Sequence, residues 1–390
     1  MNSKKILIVA DSLRVSGQLR YLESLNNCLD AKNNSVMLYI RKNKDNRLDD
    51  IDKNVNIVIN RREKAVFLPP YYYILSVIYT LMKLFGLTKY SSSVNSKRMS
   101  ILRCVMTRRE FNSSLKNHHF DVAVCFAQGH SSDIFTFVNA DVKYAFWYRC
   151  AANKRNNQKW LCGDVDKIIT PSNNMRSILC WLYPDFEKKI IVIENYIDNI
   201  KLETLAKAEE IDNSNRLTLC TLGRLTSSKG IDLAVKSAGI LSDNGYDFIW
   251  YFIGDDRDIE EINELIRICN VEDRIHISGP VINPYPFIKA SNVYVQPSRE
   301  EAFAVSIQEA MALKVPVVAA RTVGAIENIS NGITGLIAEP DENSIAMSIM
   351  RILSDNDLKD RVKENLNHIE YGTARELFIK KWTDLIWKVN

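Results

Sequence analysis

Ser298-Arg-Glu-Glu301-Ala-Phe-Ala-Val-Ser-Ile-Gln-Glu309-Ala-Met-Ala312 sets two carboxylates, Glu301 and Glu309, eight positions apart. An apolar run, Asn292-Val-Tyr-Val-Gln-Pro297, precedes the stretch, and another, Val315-Pro-Val-Val-Ala-Ala320, follows it. The order reads strand, loop, helix, strand, one unit of a parallel α/β sheet. Such sheets receive ligands in the crevice beyond the carboxyl ends of their strands. Glu301 is therefore expected at the crevice floor and Glu309 on the helix beside it. Carboxylates there suit the acceptance of hydrogen bonds from the hydroxyls of a sugar or a ribose.

The alternation extends outward from this unit. In the second half, strands are expected at Leu217–Leu222, Phe248–Ile253, Arg274–Ser278, Val293–Gln296 and Val315–Ala319, with helices at Gly230–Ser242, Ile259–Asn270 and Val305–Ala312. The first half repeats the pattern. Its strands are Lys5–Ala10, Ser35–Ile40, Val55–Ile59, Asp121–Phe126, Val142–Trp147, Lys167–Thr170 and Ile190–Ile193, and Gln18–Leu29 and Asn174–Leu182 have helical period. A polar, turn-rich stretch within Lys201–Asn215 reads as the linker. The expected organisation is a first domain over 1–205, a second over 206–371, and a last helix over 372–390. Leu377, Phe378, Trp382, Leu385, Ile386 and Trp387 form an apolar stripe on that helix, which packs on either domain.

With 390 residues, 46% hydrophobic and 25% charged, the chain has the size and composition of two ordinary cores. A net charge of +4 is too mild for a nucleic-acid binder. Eight cysteines lie mostly in apolar patterns without a CxxC pair, which points to reduced thiols, no structural metal and a cytoplasmic setting. Ile6-Leu-Ile-Val-Ala10 is too short for a secretory core and reads as a buried strand.

Residues 61–116 concentrate the charge: eleven Lys or Arg against two acids, +9, which leaves −5 for the rest of the chain. Inside lies the charge-free run Ala65–Met82 with Pro69-Pro70-Tyr-Tyr-Tyr-Ile-Leu-Ser-Val-Ile-Tyr79. A membrane span needs about 20 apolar residues, more than this run supplies. Two readings stand: a helix on an anionic membrane surface, at the inner face, or a helix on its own sheet with solvated charges around it.

Cations and glycines mark the other strand ends. Leu217-Thr-Leu-Cys-Thr-Leu-Gly223-Arg224 runs to Lys229-Gly230 at the start of a helix. Arg224 offers a planar fork and Lys229 a point charge, and with helix N–H groups they suit a diphosphate. Gly254 closes the next strand. Ile277-Ser-Gly279-Pro-Val281 closes the one after it, where a nucleobase meets backbone. His276, alternating with apolar neighbours, reads as structural.

In order, Gly223-Arg-Leu, Lys229-Gly, Phe252-Ile-Gly, Ile277-Ser-Gly, Pro297-Ser, Glu301 and Glu309-Ala-Met-Ala, Pro316-Val-Val-Ala, Gly324-Ala-Ile-Glu and Asn331-Gly-Ile-Thr-Gly-Leu resemble the GT-B retaining glycosyltransferases of family 4, the glycosyl transferases group 1. Asp166-Lys-Ile-Ile-Thr-Pro-Ser and Ile193-Glu-Asn195-Tyr-Ile-Asp198 resemble the family more loosely. The resemblance implies two Rossmann-like doubly wound domains facing across a cleft. It implies transfer, with retention and without a metal, of a hexose or N-acetylhexosamine from a nucleotide-diphosphate sugar. The nucleotide sugar, a UDP-sugar by preference, is a co-substrate, and no cofactor is implied. Glu301, Arg224 and Lys229 would be catalytic. Gly17, Gly223, Gly254, Ile277, Gly279, Val281, Phe303, Ala304, Val305 and Glu309 would hold the donor, with Glu309 on the ribose.

The basic segment adds a lipid-linked or polymeric glycan acceptor, as in surface polysaccharide assembly. His130, Tyr148 and Arg149 are the acceptor-side candidates, since no histidine stands in Tyr144-Ala-Phe-Trp-Tyr-Arg-Cys150, where the family has one. The family's glycines after its first Glu are Ala302 and Ala304 here, and its double glycine is Ser16-Gly17. A non-catalytic scaffold partner is the competing reading. A nucleotide-sugar epimerase and a two-lobed sugar-binding protein are further alternatives.

Overall fold

The computed structural model describes residues 3–10, 17–26, 28–29, 33–40, 53–59, 70–84, 95, 111, 114–126, 134–148, 164–211, 216–255 and 259–387. Two parallel sheets organise them. The first comprises β1 (Lys5–Ala10), β2 (Ser35–Ile40), β3 (Asn56–Ile59), β4 (Phe120–Cys125), β5 (Ala140–Phe146), β6 (Lys167–Thr170) and β7 (Ile190–Val192), in the order β3-β2-β1-β4-β5-β6-β7. Along β1, Ile6, Ile8 and Ala10 join one buried cluster while Leu7 and Val9 join another. Both faces are covered, which explains the continuous apolar runs. Helix α1 (Gly17–Asn26) lies on the first face, α2 (Pro70–Leu84) follows β3 in the chain, and α3 (Asn173–Leu182) lies on the second face.

The second sheet comprises β8 (Leu217–Leu222), β9 (Phe248–Ile253), β10 (Ile275–Gly279), β11 (Val293–Gln296), β12 (Val317–Ala320) and β13 (Leu336–Ala338), in the order β10-β9-β8-β11-β12-β13. Helices α4 (Asn199–Ala206), α5 (Ile231–Asp243), α6 (Ile259–Ile268), α7 (Tyr285–Ala290), α8 (Val305–Ala312), α9 (Val323–Asn328), α10 (Glu342–Ser354) and α11 (Asn356–Asn367) pack around it. The chain moves from β8 outward to β10, then returns to the other side of β8 at β11. That reversal between β8 and β11 opens the crevice in which doubly wound sheets bind ligands. The first sheet reverses in the same way between β2 and β4 around β1. The architecture is GT-B.

One domain boundary and one residue of the last helix differ from the sequence reading. A boundary at 205/206 gives α4 to the first domain. Instead Leu202 and Ala206 lie in the second core, Glu203 pairs with Lys289 at 3.0 Å, and Leu205 O accepts from Asn283 Nδ2 at 2.7 Å. The polar residues that suggested a linker come after this helix, so the crossing precedes it. The last helix, α12 (Gly372–Trp387), returns to the first lobe. Phe378, Trp382 and Ile386 are buried there, Trp382 Nε1 donates to Tyr21 OH at 3.2 Å, and Tyr144 OH donates to Leu385 O at 2.7 Å. Leu377, expected in the buried stripe, is 46% exposed.

The lobes also touch where α9 meets α3. Glu327 of α9 accepts from the backbone N–H groups of Asn173 and Asn174 at 3.1 and 3.2 Å. A carboxylate at a helix N-terminus satisfies orphan donors and opposes the macrodipole. Ala302 and Val323 pack against the first lobe's cluster around Trp147 and Met175.

Candidate active site

Loops at the carboxyl ends of β8, β9, β10 and β11 converge through backbone contacts. Gly223 N donates to Ile253 O and Gly254 N to Gly279 O, both at 2.9 Å. A Cβ on Gly254 would lie 1.8 Å from Gly223 O, so a side chain at 254 would force the two loops apart. Gly230 has φ +69, and a Cβ there would lie 1.9 Å from Pro297 O. Only glycine adopts that geometry at no steric cost. The close approach sets Lys229 beside the loop after β11. Arg299 fastens the same contact, forking onto Asp232 with two bonds of 2.7 Å, while its N–H donates to Ser228 O at 3.1 Å. Arg299 therefore braces the loop and holds the Asp232 carboxyl below the usual range, against the opposing effect of burial.

Lys229 Nζ is 2.6 Å from Glu301 Oε1. The same oxygen accepts from Ser298 Oγ at 2.9 Å and from Gln296 Nε2 at 3.1 Å. Gln296 also donates to Ser298 Oγ at 2.7 Å, and its own oxygen accepts from Tyr294 OH at 2.7 Å and Ser306 Oγ at 2.9 Å. A buried polar network holds a fixed geometry when its members are satisfied. This one aims Glu301 from below. Gln296 and Ser298 were not singled out from sequence. The available signal was an amide in an otherwise apolar strand, Val293-Tyr-Val-Gln296.

Glu309, on α8, is only 4% exposed. Tyr285 OH donates to its Oε1 at 2.8 Å, and Arg20 Nε of the first lobe lies 3.3 Å from that oxygen. Burial raises the carboxyl's pKa, and Arg20 and the Tyr285 hydrogen bond oppose the rise. Burial also raises the Tyr285 phenol, reinforced by the Glu309 charge. Burial disfavours the Arg20 charge, yet Glu309, Tyr285 and Glu23 hold its pKa above the ordinary value. Tyr285 and Arg20 had no motif to announce them.

Phe303 and Ala304 are buried, and Val305 opens α8. Ala304, at φ 52 and ψ 63, is the N-cap and provides no side-chain cap, so the helix start presents N–H groups toward the loop. Asn328 Nδ2 braces the loop on Phe303 O at 2.5 Å, and Gly324 N donates to Glu301 O at 2.9 Å. Arg224 follows Gly223 with an exposed side chain. Ile277 and Val281 are partly buried against the second core, next to Gly279. His276 is exposed, with its ring 5.4 Å from that of Tyr251. Gly17 opens α1 beyond β1. Tyr148 is partly buried, 6.1 Å from the Phe146 ring. His130 and Arg149 lie outside the described residues. Among the described residues, no three His, Cys, Asp or Glu side chains converge as a metal site, and Cys28, Cys125, Cys180, Cys220 and Cys269 are free thiols.

Residues 203–368, from α4 through α11, match the family Glycosyl transferases group 1. The match lies in the second lobe, and that part of the chain is similar to this family. Among the chain's relatives, the capsular polysaccharide biosynthesis glycosyltransferase CapM of Staphylococcus aureus is 33% identical over 175 residues, covering 43% of this chain and 44% of CapM. The alpha-D-kanosaminyltransferase of Streptomyces kanamyceticus is 29% identical over 147 residues, 37% of this chain and 38% of that protein. The chain thus spans less than half the length of these two relatives. Likeness of fold reaches further. Sucrose-phosphate synthase from Thermosynechococcus elongatus superposes with a TM-score of 0.70 at 17% identity, over 99% of this chain and 100% of that one. Anabaena HepE in complex with UDP gives 0.66 at 15% identity, over 98% of each chain.

Proposed function

We propose that the chain is a retaining, metal-independent glycosyltransferase. It moves a hexose or N-acetylhexosamine from a nucleotide-diphosphate sugar, a UDP-sugar by preference, to a lipid-linked or polymeric glycan acceptor in surface polysaccharide synthesis. The observation that carries this reading is the grouping of Lys229, Glu301, the α8 start and buried Glu309 around one crevice at the β8/β11 reversal.

In this reading Arg224, Lys229 and the N–H groups of Phe303, Ala304 and Val305 hold the diphosphate, with Gly17 letting first-lobe backbone approach it. The bond from the anomeric carbon to the phosphate oxygen breaks, and its electron pair goes to that oxygen. The acceptor oxygen bonds to the same carbon on the same face, and its proton passes to the leaving phosphate. Cations and helix dipoles placed where charge develops lower the barrier. Glu301 contacts the transferred sugar, Glu309 the ribose, and Gly254, Ile277, Gly279 and Val281 border the base.

Ala304 bears on the scaffold alternative. The loop reaches its left-handed conformation with alanine, at a cost of about 1 kcal/mol, and this favours the enzyme. Transfer assays across a panel of nucleotide sugars test the reading. Activity is expected with one donor and is lost in Lys229→Ala and Glu309→Ala. A wild type as inert as these variants would overturn it.

The acceptor side rests on α2. Tyr73, Ile74, Val77, Ile78 and Leu81 are exposed on it, in the segment with the +9 excess. Exposed apolar residues amid basic sequence suit an anionic leaflet at the inner face of a membrane. Among the described residues no helix is long and apolar enough to cross one. Flotation with anionic vesicles is expected to retain the chain at low salt and release it at high salt. No retention at low salt would remove this part of the reading.

A further inference from the structure

Arg20 sits on α1, among residues buried in the first lobe, and Glu309 sits on α8 in the second. Arg20 Nε lies 3.3 Å from Glu309 Oε1, and the guanidinium carbon is 5.4 Å from the centre of the Tyr285 ring. Tyr285 OH donates to the same Oε1 at 2.8 Å. A carboxylate this deep needs partners to remain ionised. Among the described residues, the cation that touches it comes from the opposite lobe. Arg20 is fixed in turn by Glu23, one turn along α1, at 3.5 Å, and Glu23 lies 3.9 Å from Lys201 of α4. The seam between the lobes is thus stitched by charges that alternate along it.

We propose that Arg20 is a positioning residue of the donor site. With Tyr285 it fixes Glu309 through Oε1 and turns Oε2 toward the ribose hydroxyls of a nucleoside diphosphate. The ribose anchor is then complete only when the lobes are together. The inference rests on the nucleotide-donor reading above. One hydrogen bond and one ion pair on the same oxygen orient the carboxylate, and the other oxygen offers its lone pairs to a vicinal diol. Hydrogen bonds to a charged acceptor are each worth about tenfold in affinity, so losing the orientation is measurable.

The test is calorimetry on the full chain with uridine, guanosine and adenosine diphosphates, each in its ribo and 2′,3′-dideoxy form. Wild type, Arg20→Gln, Arg20→Lys and Tyr285→Phe are compared, with melting curves alongside. Wild type is expected to prefer the ribo form of its nucleotide by about tenfold or more. Arg20→Gln is expected to bring that ratio near unity, with Arg20→Lys and Tyr285→Phe in between. A folded Arg20→Gln protein that keeps the wild-type ratio overturns the inference. An equal loss of both forms does so too, since lobe packing alone would not read the ribose. If Arg20→Gln does not fold, the Lys and Phe variants carry the same comparison. A wild type that binds none of the six compounds overturns the donor reading, and the inference falls with it.

Discussion

Lys229 Nζ and Glu301 Oε1 are 2.6 Å apart, so the cation assigned to the diphosphate and the carboxylate assigned to the sugar form one ion pair. A diphosphate that engages Lys229 has to share it with Glu301. Glu301→Gln is therefore expected to bind nucleoside diphosphate as tightly as wild type or more so, by up to about tenfold, while transfer falls about 10²-fold. Lys229→Ala is expected to lose more than about tenfold in the same binding. Calorimetry beside single-turnover rates checks both. Weaker nucleotide binding by Glu301→Gln would count against the competition.

Gln296 makes four hydrogen bonds inside the lobe. Gln296→Leu leaves the Tyr294 and Ser306 hydroxyls and the underside of Glu301 without that partner. A destabilisation of about 1–3 kcal/mol is expected, measured by denaturant unfolding, together with a loss of transfer. Unchanged stability would mean that the network relaxes around leucine.

Ala304 holds φ 52. Ala304→Gly relieves the left-handed strain and adds some unfolded-state freedom, for a net gain of about 0.5–1 kcal/mol. The melting temperature should rise. A fall would show that burial of the alanine methyl outweighs the strain.

Glu309 gives stability a pH dependence. Its carboxyl titrates higher in the folded chain than the ordinary 4.5, because burial disfavours the charge. The folded state then binds the proton more tightly than the unfolded state. This contribution is full below pH 4.5 and is lost as pH rises through the folded value. Glu309→Gln removes it. The difference in unfolding free energy between wild type and variant should move toward the variant as pH rises across that window, and a flat difference would contradict the assignment.

Trp382 is fully buried against Tyr21 and Phe378, whereas Leu377 faces solvent on the same helix. Trp382→Ala is expected to cost about 3–5 kcal/mol, and Leu377→Ala less than about 0.5 kcal/mol. Chemical denaturation of the two variants compares them directly.

The doubly wound plan was legible because both sheets are parallel and covered on both faces. Their strands, such as Leu217–Leu222 and Phe248–Ile253, read as apolar runs between helical periods. Glycines and charges at strand ends led to the expectation that Lys229 and Glu301 lie at one crevice, and their side chains do meet at 2.6 Å. The destination of α12 was not, since an amphipathic stripe states that it is buried but not against what. Arg20 was less legible still. Its partner lies 289 positions away in the chain, across a seam that no local pattern encodes. The α4 boundary was misread because polar composition marks where a surface loop runs, while lobe membership is decided by where Leu202 and Ala206 find neighbours.

The return of α12 alters how the two halves can move. The polypeptide leaves the first lobe just after Tyr196 and re-enters it at Phe378, and the two rings are 5.2 Å apart. Two covalent strands cross side by side at one edge. Sliding of one half over the other would shear both strands, and twisting would wind them together. Swinging about a line through the paired crossings strains neither, like a door on two adjacent pins. The aromatic pair then lies on the axis of that swing, at the edge where both strands cross.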